Sequence, residues 1–374
     1  MNILFVIPAM AHGGAESFVR DLSLFFLHRG HSVQIVSGGG ALLRHLDNRI
    51  TTITLPYMSR TPLSLLIWVL RLKKIISSSN VDIVCCQSIL TAMAVSVALC
   101  GNRTIAHVLI LHNPLRHWYF HILGLFANSS LDKIISVGRQ NQRTLYALGV
   151  RKDMVVHIPV AINIEHFRYK DNTMDLAGPV VTVVARMERY KGHHYLIDAI
   201  EELKRLEGIR LSVNFCGEGS YADEVKSYVS DKGLTTEITF KGTCTDVASV
   251  LAQSDIFILP SYVEAFPISI LEAMSSGVAV VATSVGDVPS IVINGETGLL
   301  VPPRNSQALK NAILEILRNK TLYEKVRKAA RSMIEEGFSV ESVGLKYEKE
   351  FLSLLCSQGD MSPTAKAGGF SGNA

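Results

Sequence analysis

Short unbroken apolar runs alternate with longer stretches of helical period over most of the chain. Asn2–Ile7 predicts a strand, Gly13 and Gly14 a turn, and Ala15–Arg29 a helix that stops at Gly30, because glycine ends a helix in the left-handed region at no steric cost. Strands follow at His31–Ser37, Ile50–Leu55, Val81–Cys86, Arg103–Leu111 and Leu131–Val137, separated by helical stretches such as Leu63–Ile76. Apolar strands without alternation, spaced by helices, predict an α/β fold with a parallel, doubly wound sheet covered on both faces. From Pro159 to Pro179 the pattern lapses into polar residues of weak period, which predicts an interdomain linker. A second α/β series runs through Val180–Ala185, Leu211–Cys216, Glu237–Phe240, Asp255–Leu259, Ala279–Ala282 and Leu299–Val301, with helices into Leu309–Glu335. A last apolar helix covers about Ser339–Leu355, and the Gly, Ser and Ala content of Ser357–Ala374 predicts a disordered tail.

A length of 374 residues suits two such domains, and 48% hydrophobic against 19% charged residues excludes a disordered or fibrous chain. The net charge of +4 hides an asymmetry: residues 1–131 hold ten Arg or Lys against Glu16, Asp21, Asp47 and Asp82, and no acid falls between Asp82 and Asp132. A basic surface of this kind attracts phosphates, anionic headgroups or nucleic acid. The six cysteines, Cys85, Cys86, Cys100, Cys216, Cys244 and Cys356, lie mostly in apolar runs without zinc-ligand spacing, and read as buried free thiols in a reducing compartment. Met1 leads directly into a strand-like run with no secretory n-region, and the expected location is the cytosol. Ile83–Asn102 is uncharged over a length that raises the question of a membrane helix, but Gln87, Ser88, Thr91 and Ser96 favour a buried strand and helix.

Ligands of open parallel sheets sit beyond the carboxyl ends of the strands, so the loops there carry the candidate chemistry. Ser261–Met274 follows an apolar strand and holds Glu264 in a loop, Pro267 as a first helical residue, and Glu272 one turn on. The free N–H groups of Ile268 and Ser269, with the helix dipole, make an anion site suited to a diphosphate, and the flanking carboxylates suit sugar hydroxyls. Spacing alone equally admits a helix-start acid and a solvated loop acid. Val183–Gly192 again runs strand into loop into helix, with Arg186 and Lys191 where a leaving diphosphate develops charge, the work a metal does elsewhere; a solvated basic loop is the plainer alternative. Gly13-Gly14-Ala15-Glu16 follows the first strand and lets backbone N–H groups approach a phosphate or sugar, or forms merely a turn.

Together these elements resemble glycosyltransferase family 4, a retaining family with the B-type fold of two facing Rossmann-like domains. Glu264 to Glu272 around Phe266-Pro267, Arg186 to Gly192, and Gly13 to Glu16 stand in the family's order and at its spacings. Asp255 to Ser261, Cys216-Gly217-Glu218-Gly219, Gly295 to Val301 and the Ile158-Pro159 to His166-Phe167 junction agree as well, so the likeness covers nearly the whole chain. It implies an acceptor-binding domain at 1–165, a nucleotide-sugar-binding domain at 166–340, and a helix at 341–356 that crosses back to the first domain ahead of the tail at 357–374. It implies that Glu272 holds the donor ribose, Glu264 the donor sugar, and Arg186 and Lys191 the diphosphate, aided by backbone at Phe266, Pro267, Ile268 and Ser269. Gly13, Gly14, Glu16 and Gly217 join the donor-binding set, and His112, in Leu111-His112-Asn113, resembles the histidine beside the transferred sugar. The chain departs from the family at Gly286-Asp287-Val288-Pro289-Ser290, where Gly-Gly-x-Pro-Glu is usual, at Val160-Ala161 in place of Asn-Gly, and at Gln87 where His is common.

An inverting transfer needs a general base on the acceptor side near the anomeric carbon, and the basic first half offers few candidates: Glu16, His12 and His112. That scarcity agrees with retention, in which the leaving phosphate oxygen takes the acceptor proton. Asn113–Phe126 mixes Arg116, His117 and His121 with Trp118, Tyr119, Phe120, Leu123 and Phe126, as a membrane-interface helix or an ordinary half-buried one does. The expected partners are a UDP- or GDP-linked sugar donor and a glycan or lipid-linked acceptor, as in bacterial-type polysaccharide, lipopolysaccharide or glycolipid synthesis. Peripheral contact with the cytoplasmic face of the inner membrane is expected through the basic first domain. No nucleic acid, cofactor or metal is expected, and no D-x-D pair occurs. An oxidoreductase fits poorly: Gly217 to Ala222 after a strand is a weak dinucleotide signal that leaves Glu264 and Glu272 unexplained. A sugar-nucleotide epimerase or phosphorylase of the same fold, and a catalytically silent nucleotide-sugar binder, remain open.

Overall fold

The computed structural model describes residues 1–359 apart from 12, 60, 101, 103, 113–119, 172–173 and 175–177. The first half builds β1 (Asn2–Ile7), α1 (Gly14–His28), β2 (Ser32–Ser37), β3 (Thr51–Thr54), α2 (Pro62–Ser78), β4 (Ile83–Cys86), α3 (Ile89–Ala98), β5 (Ala106–Leu111), α4 (Phe120–Ser130), β6 (Lys133–Ser136), α5 (Arg139–Ala147) and β7 (Val155–His157). These strands pair in parallel in the order β3-β2-β1-β4-β5-β6-β7. The second half builds β8 (Val180–Val184), α6 (His193–Glu207), β9 (Ser212–Cys216), α7 (Ala222–Asp231), β10 (Ile238–Gly242), α8 (Val247–Leu251), β11 (Ile256–Leu259) and α9 (Ile268–Ser275). It continues through β12 (Ala279–Thr283), β13 (Leu299–Val301), α10 (Ser306–Arg318), α11 (Lys320–Gly337) and α12 (Val340–Gly359). Its sheet is also parallel, in the order β10-β9-β8-β11-β12-β13.

The uncharged run at 83–102 forms β4 and α3, and no helix among the described residues is long and apolar enough to cross a membrane. Both sheets use one device to fix register. An aspartate just ahead of a strand accepts an N–H from the start of its neighbour: Asp82 from Asn2 at 2.7 Å, Asp132 from His107 at 2.7 Å and Asp255 from Val180 at 2.8 Å. Each such charge-assisted bond satisfies a strand-end donor that the ladder leaves over.

The segment after Pro159 departs from the polar linker that its sequence predicts. Val160, Ala161 and Ile162 are buried, and Ile162 exchanges backbone bonds with the start of α12, donating to Phe338 at 2.8 Å and accepting from Val340 at 3.1 Å. Arg331 on α11 donates to the carbonyls of Phe167 at 3.0 Å and Ser275 at 2.8 Å, and Arg327 donates to that of Lys170 at 2.6 Å. The linker is therefore stapled on both sides, because buried carbonyls demand donors and the guanidinium forks supply them.

Helix α12 returns to the first domain. Phe351 stacks on Phe26 with centroids 5.4 Å apart, and Glu348 accepts from Arg29 at 3.0 Å and pairs with His31 at 2.8 Å. The helix runs to Gly359, three residues past its expected end at 356; 360–374 lie outside the described residues. Of the cysteines, all free, Cys85, Cys86 and Cys216 are buried as expected and Cys244 is half-buried; Cys100 and Cys356 are exposed, since one follows α3 and the other faces outward from α12. Strand β7 carries no sequence signal, being too short for any period to register.

The return of α12 depends on Gly344, where a Cβ would stand 2.6 Å from the Phe25 ring. Gly344→Val is expected to lower thermal stability by about 1–3 kcal/mol through overpacking. Gly337→Ala, at a site with nothing within 4 Å, is expected to leave it unchanged in the same thermal scan.

Candidate functional site

The strand order of each sheet reverses direction at one place, β1 beside β4 and β8 beside β11, and a crevice opens beyond the strand ends at such a switch point. Segments that follow β1, β5, β8, β9, β10 and β11 meet between the domains around a cavity of about 1020 Å³. It is lined by Gly13, Gly14, His112, Arg186, Lys191, Gly217, Glu264, Phe266, Pro267, Ile268, Ser269 and Glu272, among others. Of the residues singled out from sequence only Glu16 is absent from the lining.

On the second domain, Lys191 ends a short 3-10 turn at Arg189–Lys191 and donates to Glu264 Oε1 at 2.6 Å, with both side chains largely buried. Pro267 is the cap of α9 rather than its first residue: its ψ of 110° is extended, and the helix begins at Ile268. The N–H groups of Ile268 and Ser269 thus stand in the first turn without intrahelical acceptors, next to the ion pair and facing the cavity. Arg186 is held by the Tyr190 hydroxyl at 3.0 Å. Gly217 has a φ of 141°, and a Cβ there would meet the carbonyl of Ala185, so only glycine lets that loop lie against the strand end carrying Arg186. Glu272 borders the cavity, yet burial, and after it the nearby Asp21 carboxylate, push its carboxyl up to about 7.

On the first domain, the Gly13-Gly14 turn comes so close that a Cβ on Gly14 would lie 2.5 Å from Ile268 Cδ1, across the cleft. Glu16 turns back against Gly13 and is not among the cavity-lining residues. Burial raises its pKa, opposed by its own backbone bond and by the charge of Arg186. His112 packs edge-on against Phe18 at 5.5 Å, and Gln87 Oε1 accepts from its Nε2 at 2.8 Å. That bond puts the proton on Nε2 and leaves Nδ1 as an acceptor. Burial lowers the pKa of His112 to about 4, so the ring is neutral at physiological pH. His12 and the 113–119 part of the aromatic segment lie outside the described residues.

Several lining residues escaped the sequence reading. Arg20 and Asp21, joined at 2.8 Å, face Glu272 from α1, and His45 and His166 stand at the rim. The signal was present for Arg20, one helical turn beyond Glu16 and so on the same face. Asp287, in the loop that departs from the family pattern, reaches across the cleft: its carboxylate accepts from Gln140 N at 3.3 Å, at the start of α5, and packs against Gly138. Burial raises its pKa, opposed by the N–H groups of Gln140 and by His157.

The family description "Glycosyltransferase Family 4" matches residues 12–166, and "Glycosyl transferases group 1" matches residues 168–333. An uncharacterized glycosyltransferase of Methanocaldococcus jannaschii is 27% identical over 259 residues, 67% of this chain and 69% of that protein. Matches to several other curated relatives span under half of those proteins' length. Among solved structures, a glycosyltransferase from Rickettsia africae superposes with a TM-score of 0.83 at 23% identity, over 95% of this chain and 98% of that one. Anabaena HepE in complex with UDP-glucose gives a TM-score of 0.81 at 21% identity, over 94% of this chain and all of that one.

The buried Lys191–Glu264 pair carries a test that needs no ligand. Removing one partner of such a pair strands the other, at about 3–5 kcal/mol. Lys191→Met and Glu264→Gln are each expected to lower stability of the free protein, and the double variant is expected to lose less than the sum. A urea-unfolding cycle reads the coupling.

Proposed function

The chain belongs to glycosyltransferase family 4 and has the B-type fold of two Rossmann-like domains, and from that premise we propose that it transfers a hexosyl or N-acetylhexosaminyl group from a UDP- or GDP-linked donor to a glycan or lipid-linked acceptor. Transfer proceeds with retention and without a metal. The observation that carries this reading is the Lys191–Glu264 pair at 2.6 Å beside the open N–H groups of α9. A cation, a carboxylate and a helix N-terminus converge there within an interdomain cavity. The UDP-glucose complex of Anabaena HepE supports the choice of donor class.

In this reading the diphosphate lies on the N–H groups of Ile268 and Ser269, countered by Arg186 and Lys191. Ribose hydroxyls donate to Glu272. Glu264 accepts from hydroxyls of the transferred sugar, and the neutral His112, with Nδ1 as acceptor, takes a further one. As the bond from the anomeric carbon to the β-phosphate oxygen breaks, negative charge grows on that oxygen, and the two cations stabilise it more than they stabilise the bound donor. The acceptor oxygen bonds the anomeric carbon from the same face and its proton passes to the departing phosphate oxygen, so no side-chain base is required. Within the lining His112 is a weak base and Asp21 is tied to Arg20.

The direct test incubates the protein with UDP-, GDP- and ADP-sugars and an acceptor in the presence of EDTA, and reads the product by NMR. The expected result is a glycoside with the donor's anomeric configuration, formed despite chelation. Lys191→Ala or Glu264→Ala is expected to slow it by on the order of 10²- to 10³-fold. An inverted product, or a strict need for divalent metal, overturns the mechanism.

The raised pKa of Glu272 makes a second prediction. Its folded value of about 7 exceeds the ordinary 4.5, so its favourable contribution is complete below pH 4.5 and lost as pH rises through 7. Glu272→Gln removes that dependence, and its stability relative to wild type is expected to climb between those limits by at most about 3 kcal/mol, as measured by thermal unfolding across pH. UDP binding by calorimetry is expected to move the other way, with the variant weakened most above pH 7, where the native carboxylate is ionised.

A further inference from the structure

Helix α2 turns an apolar face to solvent that no other element among the described residues covers. Its inner side is anchored: Trp68, Leu72 and Ile76 are buried in the sheet-facing core, and Trp68 Nε1 donates to the Pro56 carbonyl at 2.9 Å. Its outer side presents Leu63, Leu66 and Leu70, which are 68%, 53% and 60% exposed. These positions fall at i, i+3 and i+7, one stripe of a helix. Helix α3, packed against α2, adds the exposed Met93 and Val97, and the turn ahead of α2 adds Tyr57. A lone exposed leucine needs no explanation, but a stripe on one rigidly held helix continued onto its neighbour does.

The charge around this face has one sign. Arg71, Lys73 and Lys74 follow directly on α2 and are all exposed, and from Asn48 to Val81 the chain contains no Asp or Glu. Because β3 runs parallel to β1, its carboxyl end and the start of α2 lie at the same end of the sheet as Gly14 and His112. Leu63 and Leu66 therefore stand on the cleft side of the domain.

We propose that the outer face of α2, extended by α3, docks on an anionic lipid bilayer, with the leucines at the acyl boundary and the three cations among headgroup phosphates. An apolar stripe flanked by Lys and Arg is what a helix lying in the membrane interface requires. A second copy of this chain fits less well. A two-fold contact brings the same patch against itself, so Arg71, Lys73 and Lys74 would face their own counterparts with no acid on the helix to offset them. Docking sets the cleft end of the first domain beside the bilayer, where a lipid-linked acceptor is presented. That last consequence rests on the proposed transfer reaction, whereas the docking does not.

The test is flotation of the whole protein with vesicles of phosphatidylcholine alone or mixed with phosphatidylglycerol, alongside transfer to a water-soluble acceptor. The native protein is expected to float with the mixed vesicles, and less so as salt rises. Lys73→Ala/Lys74→Ala is expected to lower partitioning by about an order of magnitude or more. Leu66→Ser/Leu70→Ser is expected to lower it at least as far. Both variants are expected to keep the native melting temperature and soluble transfer rate. Equal recovery with neutral and anionic vesicles, or variants that float like the native protein, overturns the proposal. So does a dimer in sedimentation that the leucine variant dissociates, which assigns the face to a second copy. If flotation behaves as expected and no protein transfers sugar, the reaction is wrong and the docking stands.

Discussion

Backbone meets helix tip at the centre of this molecule. The Gly13-Gly14 turn of one domain lies against Ile268, the first residue of α9 in the other, so closely that no side chain fits on Gly14. That approach is possible only because two parallel sheets are held with their carboxyl ends face to face, and two further contacts hold them. Helix α12 leaves the second domain and packs its aromatic face on α1. Asp287 sets its carboxylate on the first N–H groups of α5, where helix-dipole and hydrogen-bond terms favour an anion together. The site residues owe their positions to this frame, since they sit beyond the carboxyl ends of the parallel strands on the two facing sides.

The cavity that results is crowded with charge, and in the free protein those charges answer one another. Lys191 neutralises Glu264, Arg20 neutralises Asp21, and Arg186 lies within electrostatic reach of Glu16 across the cleft. Glu272 forms no ion pair among the described residues, and the Arg20 charge only partly opposes its shift. It faces the Asp21 carboxylate in a desolvated place and holds its proton up to about pH 7. A ligand with hydroxyls near Glu272 and a diphosphate near Lys191 repairs the first defect and competes for the second pair. Polar cavities of this kind are costly when empty and favourable when filled, because each buried group needs a partner and the fold supplies only some.

The strands were legible because both faces of each sheet are buried, which turns every strand into an unbroken apolar run. The turn-to-helix loops were legible because chemistry at strand ends demands particular residues in order, as in Arg186 to Gly192. Pairings across the chain were not: Asp287 and Gln140 are 147 positions apart, and nothing local marks either for the other. Helix α2 shows a different limit. Leu63, Leu65, Leu66, Ile67, Trp68, Val69 and Leu70 make it apolar on every side, so the sequence carries no period that says which residues face out. Only the position of the sheet separates Trp68 and Leu72 from Leu66 and Leu70. Membrane contact was sought at 113–126 because aromatic and basic residues mix there, whereas the exposed stripe lies on a plainer segment.

The departure at Gly286 to Ser290 takes on meaning from its neighbours. Gly286 has a φ of 55°, and a Cβ there would meet the carbonyl of Glu264; Asp287 N donates to the Ala265 carbonyl at 3.0 Å. The loop therefore lies directly under the segment that carries Glu264, while the side chain of Asp287 is fixed to the other domain at α5. One residue thus joins the position of Glu264, and through it Lys191, to the closure of the cleft. If the domains part, the carboxylate of Asp287 loses its N–H donors on α5. The contact across the cleft and the backbone support beneath Glu264 thus come from adjacent atoms of one residue, which the family pattern fills differently.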